Sequence, residues 1–168
     1  PFYKNKSGEP FYSFWPTGYP IMPHAFVFQY LKGVFGQGDD TDDTVMVLMT
    51  SDNSEKDIAL LRQRMQLVSN LSSPKRKIHS TYKEYRNLPA HSTYLGTRMP
   101  PDFDFSVQCN ILYFLYENKL AFNAQDSATL QVVSDMIKER LYMKNPVYIS
   151  PYYVKPSILI YHTARLIH

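Results

Sequence analysis

The chain is poor in the residues that usually advertise chemistry. Among its 168 residues there is one cysteine, Cys109, and one tryptophan, Trp15. A single cysteine excludes a disulfide framework within the chain and any cysteine-based metal cluster. Cys109 sits in an apolar stretch, where a thiol packs as a small hydrophobe. Its presence fits a reducing, cytoplasmic compartment. Charge is also sparse: 18 Lys and Arg against 15 Asp and Glu leave a net +3. That balance is too mild for nucleic-acid binding, and the short run Lys75-Arg76-Lys77 reads as a solvated loop. No apolar run reaches the ~18–20 residues of a membrane span. No glycine-rich phosphate loop is present, since Gly33, Gly36 and Gly38 do not match one. The five histidines are scattered, so no Ser-His-Asp, Cys-His or metal-ligand spacing is legible. No cofactor is implied.

Aromatic residues are abundant instead, with 14 Tyr and 10 Phe. Tyrosine combines apolar area with a polar tip that needs a partner when buried. The composition suits an aromatic core or an aromatic-lined pocket. A chain of this length is expected to form one domain spanning 1–168, with a sizeable core. It begins at Pro1, without an initiator Met or signal-like segment, and ends at His168 inside an apparent helix. Both features suggest a piece of something longer.

Two segments repeat one pattern. Asp40-Thr41-Asp42-Asp43-Thr44-Val45 and Asp102-Phe103-Asp104-Phe105-Ser106-Val107 both read Asp-x-Asp-x-(Ser/Thr)-Val. Each runs directly into an apolar stretch. Acids at a helix start meet free N–H groups and the positive end of the macrodipole. The plain reading is two well-capped helices. The sharper reading is a repeat whose inner helices aim acids at a central cavity.

The rest of the chain supplies the repeat. Residues 1–23 are rich in proline and aromatics and read as irregular. His24–Phe35 reads as a short helix stopped by Gly36 and Gly38. Val45–Met49 is apolar on every side, which indicates a fully buried helix or else a strand, and the leading acids favour helix. Ser54 or Asn53 is placed to cap a helix over 55–71, with Ile58, Leu61, Met65, Val68 and Leu71 on one face. Residues 72–101 have no clean period and read as a long loop, of the length that functional lids use. Tyr82, Tyr85, His91 and Tyr94 are available there for contacts. Asp102 and Asp104 open a second buried helix ending near Asn118. Asp126 is a plausible cap for a helix over 127–143. Pro156 suits the first turn of a last apolar helix, whose His162 reads as a satisfied core residue. Amphipathic and apolar helices thus alternate. Such units bury their apolar members only by stacking.

On these residues the chain resembles the α/α-toroid terpenoid cyclases and protein prenyltransferases. Asp40-Thr41-Asp42-Asp43-Thr44 is similar to the Asp-x-Asp-Asp-Thr motif of squalene-hopene-type cyclases, although the repeated Gln/Trp motif of hopene-type enzymes is lacking. The resemblance implies an all-α, partial α/α toroid of buried inner and amphipathic outer helices. It implies that Asp42 protonates an alkene or epoxide while Asp40 and Asp43 shape its surroundings. Such an acid must be kept protonated and away from water, and aromatic faces would stabilise the carbocation. Asp102, Asp104, Trp15, Tyr82 and Tyr94 are the expected ligand-binding residues. The expected partners are an isoprenoid or other apolar molecule, and further helices of a parent chain or a second subunit. Two other readings stay open: a non-catalytic toroid that binds a ligand or protein at its acidic rim, and a sugar-active (α/α) barrel using Asp42 with Asp104. A zinc site is not expected, because no spaced His/Cys/Asp set surrounds Cys109.

Overall fold

A computed structural model describes residues 3–4, 8–13, 39–97 and 99–167. The expected helix at 24–35 and Trp15 lie outside them. The described residues are mostly helical. In chain order they form α1 (Thr41–Thr50), α2 (Glu55–Val68), α3 (Phe105–Glu117), α4 (Ala124–Lys138), α5 (Leu141–Lys144), α6 (Pro146–Ile149) and α7 (Pro156–Ile167). Two short antiparallel strands, β1 (Tyr3–Lys4) and β2 (Tyr12–Ser13), precede them. The stretch expected to be irregular therefore holds a small ribbon, whose neighbour Phe11 is completely buried.

Helix starts follow local chemistry. Asp40 caps α1 by accepting the amides of Asp42 and Asp43. Asp104 caps α3 through Ser106 and Val107. Ser54 and Asp57 form a reciprocal capping box on α2, and Asn123 and Asp126 form one on α4. Asp126 is thus the third helical residue of α4 and not its cap, so α4 starts earlier than 127. It also stops earlier than 143. Arg140 turns left-handed (φ 55°) and separates α4 from the one-turn α5. Lys119 does the same after α3, and Leu71 after α2. Leu71 consequently leaves the apolar face of α2 and is exposed.

The core lies on both sides of α3, which buries ten of its 13 residues. Val107, Ile111, Phe114 and Leu115 pack with Val45 and Leu48 of α1 and with Leu61, Met65 and Val68 of α2. Phe105, Cys109 and Leu112 pack with Val132, Val133 and Met136 of α4, with Ile149 and with Leu159 of α7. Each such side chain contributes about 1.5–3 kcal/mol when fully buried. The strand alternative for 45–49 is excluded. The last helix is less buried than expected: α7 buries Leu159 and His162, while Ile160, Tyr161 and Ile167 are exposed.

The starts of α1, α3 and α7 gather at one end. The Thr41 amide donates to Thr93 O (3.0 Å), and the Thr93 amide donates to Asp102 O (2.9 Å). The Tyr152 amide, just before α7, donates to Asp104 Oδ2 at 3.1 Å. Residues 72–101 contain one turn of 3-10 helix at Lys83–Tyr85, and the other described residues there form turns, bends and irregular backbone.

Candidate functional site

Asp42 lies in the first turn of α1 and is buried to 6% exposure. It caps nothing, since Asp40 has taken that role. Its carboxyl turns towards α3 and the segment before α7. Oδ1 accepts from Asn110 Nδ2 at 2.5 Å, and Oδ2 accepts from the Tyr153 hydroxyl at 2.5 Å. The orientation of Asn110 is fixed from its other side. Its Oδ1 accepts from Arg165 Nη2 (2.5 Å) and from His162 Nδ1 (2.9 Å). A carbonyl oxygen holding two donors leaves the NH2 group to face Asp42.

Charge in this network follows burial. Burial pushes the His162 imidazole below its ordinary range, opposed by Asp42 and aided by Arg165. Because the Asn110 carbonyl oxygen can only accept, the Nδ1 proton of His162 faces it. Burial, followed by the nearby Asp42 carboxylate, pushes the Tyr153 phenol up. The Tyr153 and His162 rings meet edge to face at 5.6 Å. The Arg165 guanidinium lies 4.6 Å from the centre of the Tyr113 ring.

Asp40 and Asp104 keep their protons to higher pH than an ordinary aspartate. Burial, with Asp43 and Asp42 adding repulsion, raises Asp40 to about 7. Burial raises Asp104 to about 6. This happens although Asp104 accepts from Ser150 Oγ (2.7 Å), the Tyr152 amide (3.1 Å) and two helix amides. Asp102 stands nearer the surface. The Tyr152 hydroxyl donates to its Oδ2 at 3.1 Å, and the Tyr94 hydroxyl donates to Tyr152 at 2.8 Å. Isolated bridges join Asp40 to both Tyr12 and Tyr94.

Of the expected site residues, Asp40, Asp42, Asp43, Asp102, Asp104 and Tyr94 therefore come together at one end of the helices. Tyr82 does not join them. It packs on Tyr148 at 4.7 Å, and its hydroxyl accepts from Asn145. His91, expected among the loop's contact residues, is 1% exposed and bonded to Asp126. His162 is satisfied and buried, as expected. Asn110, Tyr153 and Arg165 escaped the sequence reading. The one signal for Asn110 was a polar side chain inside an otherwise apolar helix.

Two further features lie outside this network. At the opposite end of α3, an apolar groove of about 830 Å³ runs between α3, α4 and α7, lined by Leu112, Leu120, Phe122, Val133, Ile137 and Leu166 among others. Burial pushes the Cys109 thiol up, which makes it a poor nucleophile. Among the described residues, no cluster of His, Cys, Asp or Glu is arranged to hold a metal, and no helix is long and apolar enough to cross a membrane. The chain matches no protein-family model, and no curated protein or solved structure is significantly similar to it.

Proposed function

We propose that the chain forms part of an α/α toroid of the terpenoid-cyclase kind. In this reading it binds an isoprenoid or other apolar chain, and the Asp42 carboxyl starts the chemistry by giving up a proton. The observation that carries the reading is the environment of Asp42: a carboxyl at the head of an apolar helix, shut from water, with one donor on each oxygen. Protonating an alkene forms a C–H bond from the π electrons, leaves a carbocation on the chain and leaves Asp42 as a carboxylate. The Asn110 amide and Tyr153 hydroxyl are placed to stabilise that carboxylate. When Asp42 carries the proton, the Tyr153 oxygen can accept it in a hydrogen bond. Asp40, raised to about 7, is a neighbouring reserve of protons.

The test is to incubate the protein with linear polyprenyl alkenes and their epoxides and to analyse products by mass spectrometry. Asp42→Asn keeps the size of the side chain. It is expected to retain helical circular dichroism and to lose turnover by about 10²–10⁴-fold. Cyclisation that survives the substitution, or a wild-type protein without turnover, overturns the proposal.

The non-catalytic rim-binding reading draws on a different observation, the Tyr94–Tyr152–Asp102 chain near the surface of the same end. It predicts ligand binding that Asp42→Asn leaves intact and Tyr152→Phe weakens. The sugar-active reading needs both Asp42 and Asp104 facing a common space.

A further inference from the structure

A second buried polar cluster lies away from the acids. Asp126 and His91 are each 1% exposed, and the Arg62 side chain is 18% exposed. Asp126 Oδ1 meets His91 Nε2 at 2.7 Å, and Oδ2 accepts from Arg62 Nη2 at 2.6 Å and from the Asn123 amide at 2.8 Å. The cluster ties together α2, α4 and the end of the long connection. A second bond repeats the tie, since the His91 amide donates to Thr129 Oγ1 of α4 at 2.9 Å.

The segment beyond His91 gives the cluster its meaning. Residues 91–95 form an extended strap with no helix of their own. Ser92 O accepts from Thr41 Oγ1 (3.0 Å). Thr93 O accepts the Thr41 amide, the Thr93 amide donates to Asp102 O, and the Leu95 amide donates to Asp39 O at 2.8 Å. Ser92 Oγ accepts the Asp102 amide at 3.3 Å. One short strap therefore holds the first residue of α1 and the residues just before α3. Its other end is pinned to α4 and, through Asp126, to Arg62 of α2. Apolar packing at position 91 would fill space without fixing direction, whereas hydrogen bonds to a buried carboxylate fix both.

We propose that His91, with Asp126 and Arg62, is a positioning device for the acid end: it sets the strap that spaces Asp40 and Asp42 against Asp102 and Asp104. This deepens the proposed function and rests on reading that end as the working site. His91 and Asp126 touch none of the reacting groups and act through the backbone of 92–95.

The test needs no substrate. Amide hydrogen exchange would be followed at Thr41, Thr93 and Leu95, with Ile111 and Leu112 of α3 as the core reference. Asp40 and Asp42 would be titrated by carboxyl 13C NMR in the same samples. His91→Ala is expected to speed exchange at the three strap-linked amides tenfold or more relative to the reference and to move the Asp40 midpoint. His91→Gln can still donate to Asp126 and is expected to recover at least half of both effects. Asp126→Asn is read in the same way if His91→Ala does not fold. Unchanged exchange, or strap and reference amides accelerating in step, overturns the proposal. A loosened strap in a protein without turnover would sink the cyclase reading alone. Turnover with an indifferent strap would sink this one alone.

Discussion

At the scale of single residues, burial sets two acids against the pH of their surroundings. An ordinary aspartate loses its proton near 3.8, while folded Asp40 holds it to about 7. Between those values the folded chain binds more protons than the unfolded one, so stability falls as pH rises through the window. Asp104 acts in the same sense up to about 6. Asp126 acts oppositely. Burial works to raise it, but the His91 bond, the Asn123 amide and Arg62 outweigh burial and hold it below the usual carboxylate range, so its contribution is lost as pH falls through that low value. Asp40→Asn isolates the first effect, because asparagine caps a helix as well as aspartate does. Thermal unfolding measured from pH 4 to 8 should decline less steeply in Asp40→Asn than in wild type, with the variant the more stable of the two above pH 7. Parallel curves would show that Asp40 gives up its proton in the ordinary range.

At the scale of elements, caps are local and were largely legible. Asp40, Asp104 and Ser54 each stand where an acceptor meets the free amides of the next turn, and each does so in the structure. Ser54→Ala removes half of the α2 capping box from an exposed position. The expected loss is about 1 kcal/mol, or about 2–4 °C in Tm for a chain of this size. A scanning calorimeter would check it, and an unchanged Tm would mean that α2 is held by its buried face alone. Legibility ends where the cause ceases to be local. Asn123 and Asp126 fit one capping box, and reading Asp126 as the cap shifted the helix start. The break after α4 was invisible, because Arg140 takes a left-handed backbone where the sequence offers no glycine. Asn110 and Tyr153 meet Asp42, and His162 and Arg165 meet Asn110, across long stretches of chain, so no spacing rule could assemble them. What the sequence did contain was the pair of acid-led apolar segments, because capping and burial both leave marks within a few residues.

At the scale of the whole molecule, the described residues cover the two faces of α3 and leave one face of α7 uncovered. Contacts with α1, α2 and α4 close the core around α3. α7 packs on α3 through Leu159 and His162, and leaves Ile160, Tyr161 and Ile167 exposed by 47%, 59% and 76%. Tyr116 and Phe122 add 70% and 41% exposure along the neighbouring groove. Isolated apolar side chains at a surface are ordinary, but a contiguous set on one helix and one groove promotes association. The 168-residue chain is therefore expected to self-associate in a concentration-dependent way during sedimentation. Replacing Ile160 and Ile167 together by Lys should suppress this without loss of helix, because lysine is a good helix former and neither side chain is buried. The substitution leaves Asp42, Asn110 and His162 untouched, so any change in the acid end would have to travel through α7 itself. A wild-type chain that stays monomeric at high concentration would show that this face is too small or too broken to hold a partner.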